Sequence, residues 1–377
     1  MRLYRVDPEI HFFETVRAFS DAFSLDSEDL IFTEKVIYDN YIEPMKLPCQ
    51  IMVRDDYETG EPSEEAIDKM LLNLDDRHYR RMVAIGGGSV MDTAKALVID
   101  DAYPFAHLLE KTEANTSTHQ LINIPTTCGT GAEISAGGIY FIKSTGLKSS
   151  VVGAGVNYAV LIPELIEKLP FRIFFLSSMD ALSHAVEAYL YADDIVNEFG
   201  LAIASSAIRM NLECHAELYT KGADARVPLC RKFLLSSCMG NMALTANGAN
   251  LVHAMAYPPA EKFHMAHGES VYQFLLPVLR LYDRICPEHP RFRALKQIFS
   301  DCVRKAGFSG ETDRVLSELE EMLQQIMHLR SMREVGMTTE DLESFTRNII
   351  ETKQRLLTKA LMPVDAAMIT EMYTERL

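Results

Sequence analysis

Arg81-Met-Val-Ala-Ile85-Gly86-Gly87-Gly88-Ser89-Val90-Met91-Asp92-Thr93-Ala94-Lys95-Ala96-Leu97 opens on a short apolar run, turns through three glycines and continues with apolar residues at helical spacing. Strand, tight turn and helix in that order form a βα unit, the building block of a parallel sheet. Gly86, Gly87 and Gly88 let the backbone bend sharply and approach a ligand, and the helix that Ser89 enters offers unpaired N–H groups at the positive end of its dipole. A pyrophosphate fits such a turn. The spacing is neither G-x-G-x-x-G nor the G-K-[ST] ending of a P-loop, so a plain strand-to-helix turn is the alternative.

Outward from this unit the first half keeps alternating. Asp29-Leu-Ile-Phe32-Thr33-Glu34 is a buried strand that delivers Glu34 at its carboxyl end. Glu61-Pro-Ser63-Glu-Glu-Ala-Ile67 begins with a capping serine and an acidic first turn, which predicts a helix over 63–74. The strand Gln120–Ile124 runs into Pro125-Thr126-Thr127-Cys128-Gly129-Thr130-Gly131, a loop whose Thr126, Thr127 and Thr130 hydroxyls can bond phosphate, ribose or carboxamide without adding charge. Further strands are expected at 138–142 and 158–162. Beyond about residue 175 the pattern turns helical, with helices near 180–192, 198–220, 227–246, 311–327, 339–361 and 364–376. The expectation is an α/β domain with a parallel sheet over 1–175, followed by an all-helical domain over 176–377.

Asp180-Ala-Leu-Ser-His184 places a carboxylate and an imidazole four residues apart on one helix face. Downstream, His253, His264 and His267 fall within fifteen residues. His253 is expected to close an apolar helix that Pro258-Pro259 terminate, after which the chain can turn back to bring His267 near His253. One carboxylate oxygen and three imidazole nitrogens suit Fe(II) or Zn(II) better than Mg or Ca. Asp-x-x-x-His taken singly is an ordinary surface pair; its coincidence with a nucleotide loop gives it weight.

Composition bounds the function. The 377 residues are 48% hydrophobic, enough for two cores. A formal net charge of −16 argues against nucleic acid or an anionic membrane as a partner. No apolar run approaches the roughly 18 residues of a bilayer span, and the first residues lack the apolar core of a signal peptide, so a cytoplasmic location is expected. Seven cysteines, odd in number and without a C-x-x-C pair, are expected to be reduced.

Gly-Gly-Gly-Ser-x-x-Asp-x-Ala-Lys at 86–95, Pro-Thr-Thr-x-Gly-Thr-Gly at 125–131, Asp-x-x-x-His at 180–184 and histidines at 253 and 267 together resemble the iron-containing (group III) alcohol dehydrogenase family, in order and over nearly the whole chain. Gly60-Glu-Pro-Ser63, the Tyr-Pro at 257–258 and His-Gly-Glu at 267–269 are similar to the family's 4-hydroxybutyrate dehydrogenases. The resemblance implies NAD(H) held by Gly86, Gly87, Gly88, Ser89, Asp92, Thr126, Thr127 and Thr130, with Glu34 on the adenosine ribose. It implies Fe2+ or Zn2+ on Asp180, His184, His253 and His267. Hydride would then pass between the nicotinamide and a small alcohol or aldehyde, 4-hydroxybutyrate and succinate semialdehyde or another short alcohol or diol; apart from the resemblance, exposed apolar helices lead to the expectation of a homo-oligomer, a dimer. A dehydroquinate-synthase-like lyase shares the architecture but would need a basic phosphate cluster, and near the metal region only Lys262 offers itself. Where the family commonly has a second histidine in Met-Ala-His, this chain has Tyr257, which puts a relay through that histidine in doubt. Tyr257 and His264 are the expected substrate contacts, and Lys148 lies beside the expected cleft.

Overall fold

The computed structural model describes the chain apart from residues 1–3, 59–61, 75–77, 112–114, 144–146 and 193–195, and the side chains of 147 and 148. Gly60, Glu61 and the Lys148 side chain therefore lie outside the described residues. The chain falls into two compact units, one of Arg5–Thr127 with Gly131–Leu169, the other of Pro170–Leu377 with Tyr4 and Cys128–Thr130.

The first unit is built on six parallel strands: β1 (Glu9–Phe12), β2 (Asp29–Thr33), β3 (Gln50–Val53), β4 (Arg81–Gly86), β5 (Gln120–Pro125) and β8 (Tyr158–Leu161), in the order β1-β8-β5-β4-β2-β3. The remaining pair, β6 (Gly137–Ile142) and β7 (Leu147–Val152), makes an antiparallel hairpin. Alternation along the central strands divides the core in two. Leu30, Phe32, Met82, Ala84 and Leu121 pack on one face with the Glu64–Leu74 and Gly88–Leu97 helices. Ile31, Val83, Ile85, Ile122 and Ile124 pack on the other with the Val16–Phe23 helix. Both faces are covered, which is why these strands are near-continuous apolar runs. From β2 the chain first moves outward to β3 and then returns to β4 on the opposite side, so the order reverses between β2 and β4. A crevice opens outside the carboxyl ends of strands at such a reversal, and here those ends carry Glu34 and the glycine turn.

The second unit is helical, its described residues contributing no strand beyond an isolated Tyr191–Ala360 bridge. Its centre is the Phe171–Tyr189 helix, buried at nearly every position from Phe174 to Ala188. A helix buried on nearly every side belongs in a core, and this one packs against the Glu198–Lys221, Cys230–Asn247 and His267–Ile285 helices. It starts nine residues before the expected Asp180. Apart from Arg172, Phe-Arg-Ile-Phe-Phe-Leu is too evenly apolar to show a period on its own.

Two further expectations are corrected. Pro258 and Pro259 do not end a helix: His253 lies in the first turn of the Leu251–Phe263 helix, which runs through both prolines and stops at His264 in the left-handed region. Proline at 259 removes the N–H that would bond the Met255 carbonyl, and the Tyr373 hydroxyl donates to that carbonyl instead at 2.7 Å. The helix expected over 339–361 breaks at Lys353 into Thr339–Thr352 and Gln354–Leu357. No described helix is long and apolar enough to cross a membrane. All seven cysteines are free.

Candidate metal centre and dinucleotide loops

Three helices of the second unit bring together the four residues singled out in the sequence. Asp180 and His184 are one turn apart on Phe171–Tyr189, His253 is in the first turn of Leu251–Phe263, and His267 opens His267–Ile285. His184 Nε2 lies 3.5 Å from Asp180 Oδ1 and His267 Nε2 lies 3.4 Å from it. The His253 ring is 5.0 Å from the His184 ring and 5.2 Å from the His267 ring, centre to centre. One ligand atom from each residue falls within 4.8 Å of all the others. A cation bound at roughly 2.0–2.2 Å from each could draw that set in by small rotamer shifts.

The donor chemistry fits a cation too. Asp180 Oδ1, which faces His184 Nε2 and His267 Nε2, is buried without a hydrogen-bond partner among the described residues, and buried polar atoms are as a rule satisfied. Burial opposes ionisation of Asp180, but the surrounding imidazoles of His184, His267 and His253 outweigh it and hold the carboxyl below its ordinary range. Burial holds His184 below the usual imidazole value. An ionised carboxylate and a neutral imidazole are the forms that ligate.

Sequence reasoning passed over Glu187, which continues the Asp180–His184 face at the i+7 position. It is 2% exposed, its Oε2 contacts His253 Nδ1, and its Oε1 accepts from the backbone N–H of Asn250 at 3.0 Å and of His253 at 3.2 Å. With Nδ1 engaged by a carboxylate, the His253 ring is fixed in orientation and Nε2 is left to face the cluster. Burial alone would lower the His253 pKa, yet Glu187 raises it above the ordinary value.

In the first unit the glycine turn lies beside the start of the threonine loop: the Thr126 N–H donates to the Gly86 carbonyl at 3.0 Å, and Gly86 pairs with Pro125. A Cβ on Gly86 would stand 2.5 Å from the Val90 side chain, so only glycine allows the Gly88–Leu97 helix to turn this tightly. Gly87 is the N-cap with open space beside it. Glu34 ends β2 and meets Arg54 Nη1 at 3.2 Å, while the same nitrogen donates to Ser89 Oγ at 2.8 Å. Asp92 turns inward, accepting from Lys95 Nζ at 2.9 Å and from the Ile139 N–H at 3.0 Å, and so pins β6 to the helix. Thr130 belongs to the helical unit, where its carbonyl accepts from Asn241 Nδ2 at 2.6 Å.

Residues 13–163 match the pattern described as iron-containing alcohol dehydrogenase, and residues 174–377 match its C-terminal counterpart. The chain belongs to the iron-containing alcohol dehydrogenase family. A 4-hydroxybutyrate dehydrogenase of Clostridium kluyveri is 29% identical over 375 residues, covering 99% of both chains. Among solved structures, a sulfoacetaldehyde reductase of Bifidobacterium kashiwanohense in complex with NAD+ superimposes with a TM-score of 0.80 at 20% identity, over 99% of this chain and 98% of that one. An iron-containing alcohol dehydrogenase of Thermococcus thioreducens gives 0.79 at 22% identity, over 99% of each chain.

Within this family frame the two expected substrate contacts separate. Tyr257, one turn beyond His253, has its ring 6.3 Å from that of His253 and stacked at 6.2 Å on that of His267. Burial, with smaller contributions from Glu187 and Asp180, pushes its phenol up to about 12, so the hydroxyl keeps its proton and can donate. His264 is the exposed cap at the far end of that helix, and no ring contact joins it to the metal cluster among the described residues. Lys262 is engaged by Asp341. Arg54 was missed because the four-residue strand Gln50–Val53 that delivers it is too short to signal itself.

Proposed function

We propose that this protein is a metal-dependent, NAD(H)-linked dehydrogenase that interconverts 4-hydroxybutyrate and succinate semialdehyde. The observation that carries the reading is the convergence of Asp180, His184, His253 and His267 within 4.8 Å. The substrate is supported by likeness along 99% of both chains to the clostridial 4-hydroxybutyrate dehydrogenase. The division of labour follows residues 1–175 for the cofactor and 176–377 for the metal.

Asp180, His184, His253 and His267 hold Fe2+ or Zn2+, with Glu187 orienting His253. A divalent cation there supplies Lewis-acid polarisation of the substrate oxygen. The Gly86–Ser89 turn and the N-terminus of its helix hold the pyrophosphate, Thr126, Thr127 and Thr130 orient the nicotinamide end, and Glu34 takes the ribose hydroxyls. Asp92 contributes by fixing the helix against β6 rather than by reaching the cofactor. Tyr257, beside His267, offers its hydroxyl as a hydrogen-bond donor to the substrate. Seven free cysteines fit a reducing cytoplasm.

The test joins metal content to NADH oxidation by succinate semialdehyde. His267 starts a helix with its side chain 42% exposed, so its truncation leaves the core intact. His267→Ala should lose bound metal and activity together while retaining the far-UV circular dichroism of the parent. Full metal content with full activity in that variant would remove the ligand assignment.

A further inference from the structure

Lys353 stands at the break between the Thr339–Thr352 and Gln354–Leu357 helices, with φ −111° and ψ 20°. The turn directs its side chain onto Tyr257: the ammonium nitrogen is 5.1 Å from the centre of that ring. Tyr257 is in turn stacked on the metal-site residue His267 at 6.2 Å. By those two separations the ammonium lies no farther than about 11 Å from the His267 ring centre.

Three other cations of this unit have carboxylate partners. Lys262 pairs with Asp341, and Arg172 and Arg330 both bind Glu269. Lys353 is half-buried and has no carboxylate partner among the described residues. The Tyr257 hydroxyl likewise makes no hydrogen bond among them. A half-buried ammonium over the ring of a phenol, neither with an acceptor among the described residues, forms a site that favours an anion.

We propose that Lys353, seated on the Tyr257 ring and assisted by its hydroxyl, is the subsite that takes the carboxylate of a short ω-carboxylated aldehyde or alcohol. This rests on the functional reading above and deepens it, since it says which group distinguishes the acid from a neutral substrate of equal length. A four-carbon chain extends about 5 Å from its aldehyde oxygen to its carboxyl carbon. The hydrogen bond from ammonium to carboxylate adds roughly 3 Å, so one molecule can address Lys353 with one end and the histidine cluster with the other. The carboxylate is remote from the reacting carbon and carries the same charge throughout hydride transfer. Its contact therefore acts on ground state and transition state alike, and its loss appears in KM rather than in kcat.

The experiment compares succinate semialdehyde with butyraldehyde for the metal-loaded parent, Lys353→Met, Lys353→Arg and Tyr257→Phe. Metal content and circular dichroism serve as controls for the fold. For Lys353→Met the KM for succinate semialdehyde should rise by about tenfold to a hundredfold, with kcat within about threefold and a much smaller change in the KM for butyraldehyde. Lys353→Arg should restore most of the acid preference, and Tyr257→Phe should lose a smaller part of it. Calorimetric titration of the NAD+ complex with butyrate, which has the carboxylate but no reacting oxygen, should show weaker binding to Lys353→Met, whereas butyramide should not discriminate. Equal changes for both aldehydes, or none for the acid, would overturn the assignment of Lys353 alone, provided the parent prefers the acid. A parent that uses butyraldehyde as well as succinate semialdehyde would overturn the functional reading and this subsite with it.

Discussion

If Glu34 takes the ribose hydroxyls as proposed, Glu34 and Arg54 act on cofactor choice in opposite senses. The carboxylate at the end of β2 accepts from a ribose 2′-hydroxyl and repels a 2′-phosphate, whereas a guanidinium at the same place attracts the phosphate. Arg54, 3.2 Å from Glu34 and bonded to Ser89 as well, is tied down while Glu34 is charged. Glu34→Gln removes the repulsion and the ion pair to Arg54 together, so the ratio of NADPH to NADH efficiencies should rise by roughly tenfold to a hundredfold. Steady-state kinetics with both reduced cofactors measure it, and an unchanged ratio would show that Glu34 is not the discriminator. Glu187 is the matching case at the metal cluster. Glu187→Gln keeps the volume and the backbone contacts but weakens the hold on His253 Nδ1, so metal affinity measured by chelator competition should fall about 10–100-fold. Affinity equal to the parent's would make Glu187 a packing residue. Both residues were beyond sequence reasoning for one reason: Arg54 meets Ser89 across 35 positions and Glu187 meets His253 across 66, and neither pairing has a local signature.

Elements were legible where local pattern and tertiary need agree. β2, β4 and β5 stood out because strands covered on both faces are uninterrupted apolar runs. β1 and β3 did not, being four residues long at the two edges of the sheet and only partly buried. Pro258-Pro259 misled because the donor that replaces a missing N–H belongs to Tyr373, 118 residues away. The contact between the two helices that present Asp180 and His267 depends on a residue with no side chain at all. A Cβ on Gly268 would fall 2.2 Å from the Leu176 carbonyl oxygen and 2.7 Å from its carbon, both backbone atoms that cannot step aside. Gly268→Ala must therefore push the His267–Ile285 helix off Phe171–Tyr189, moving His267 away from Asp180. Overpacking of this kind costs about 1–3 kcal/mol. Chemical denaturation should show that loss and chelator competition a weaker metal site, and a variant with parental stability and affinity would mean that the helices separate without cost.

Across the whole molecule, fold class and the gathering of Asp180, His184, His253 and His267 were legible because both are written as short patterns: a strand–glycine–helix run, and Asp-x-x-x-His with two later histidines. What holds those groups in place was not, since it is assembled from residues far apart in the chain, Lys353 and Tyr373 among them. The same distinction predicts where each ligand stabilises the protein. The metal cluster draws on three helices of the second unit, so occupancy suppresses any local opening that separates them, by RT ln(1 + [L]/Kd) or about 2.7 kcal/mol at a hundredfold excess over Kd. The glycine and threonine loops follow the ends of β4 and β5, and a dinucleotide held there as proposed would suppress openings of those ends. Hydrogen exchange should thus slow by up to about a hundredfold over residues 251–263 and the start of the following helix when Fe(II) is added to the chelated protein. Adding NAD+ should instead slow residues 86–98 and 125–127. Iron that protected the glycine turn while leaving 251–267 unchanged would contradict the ligand set, whatever the activity of the preparation.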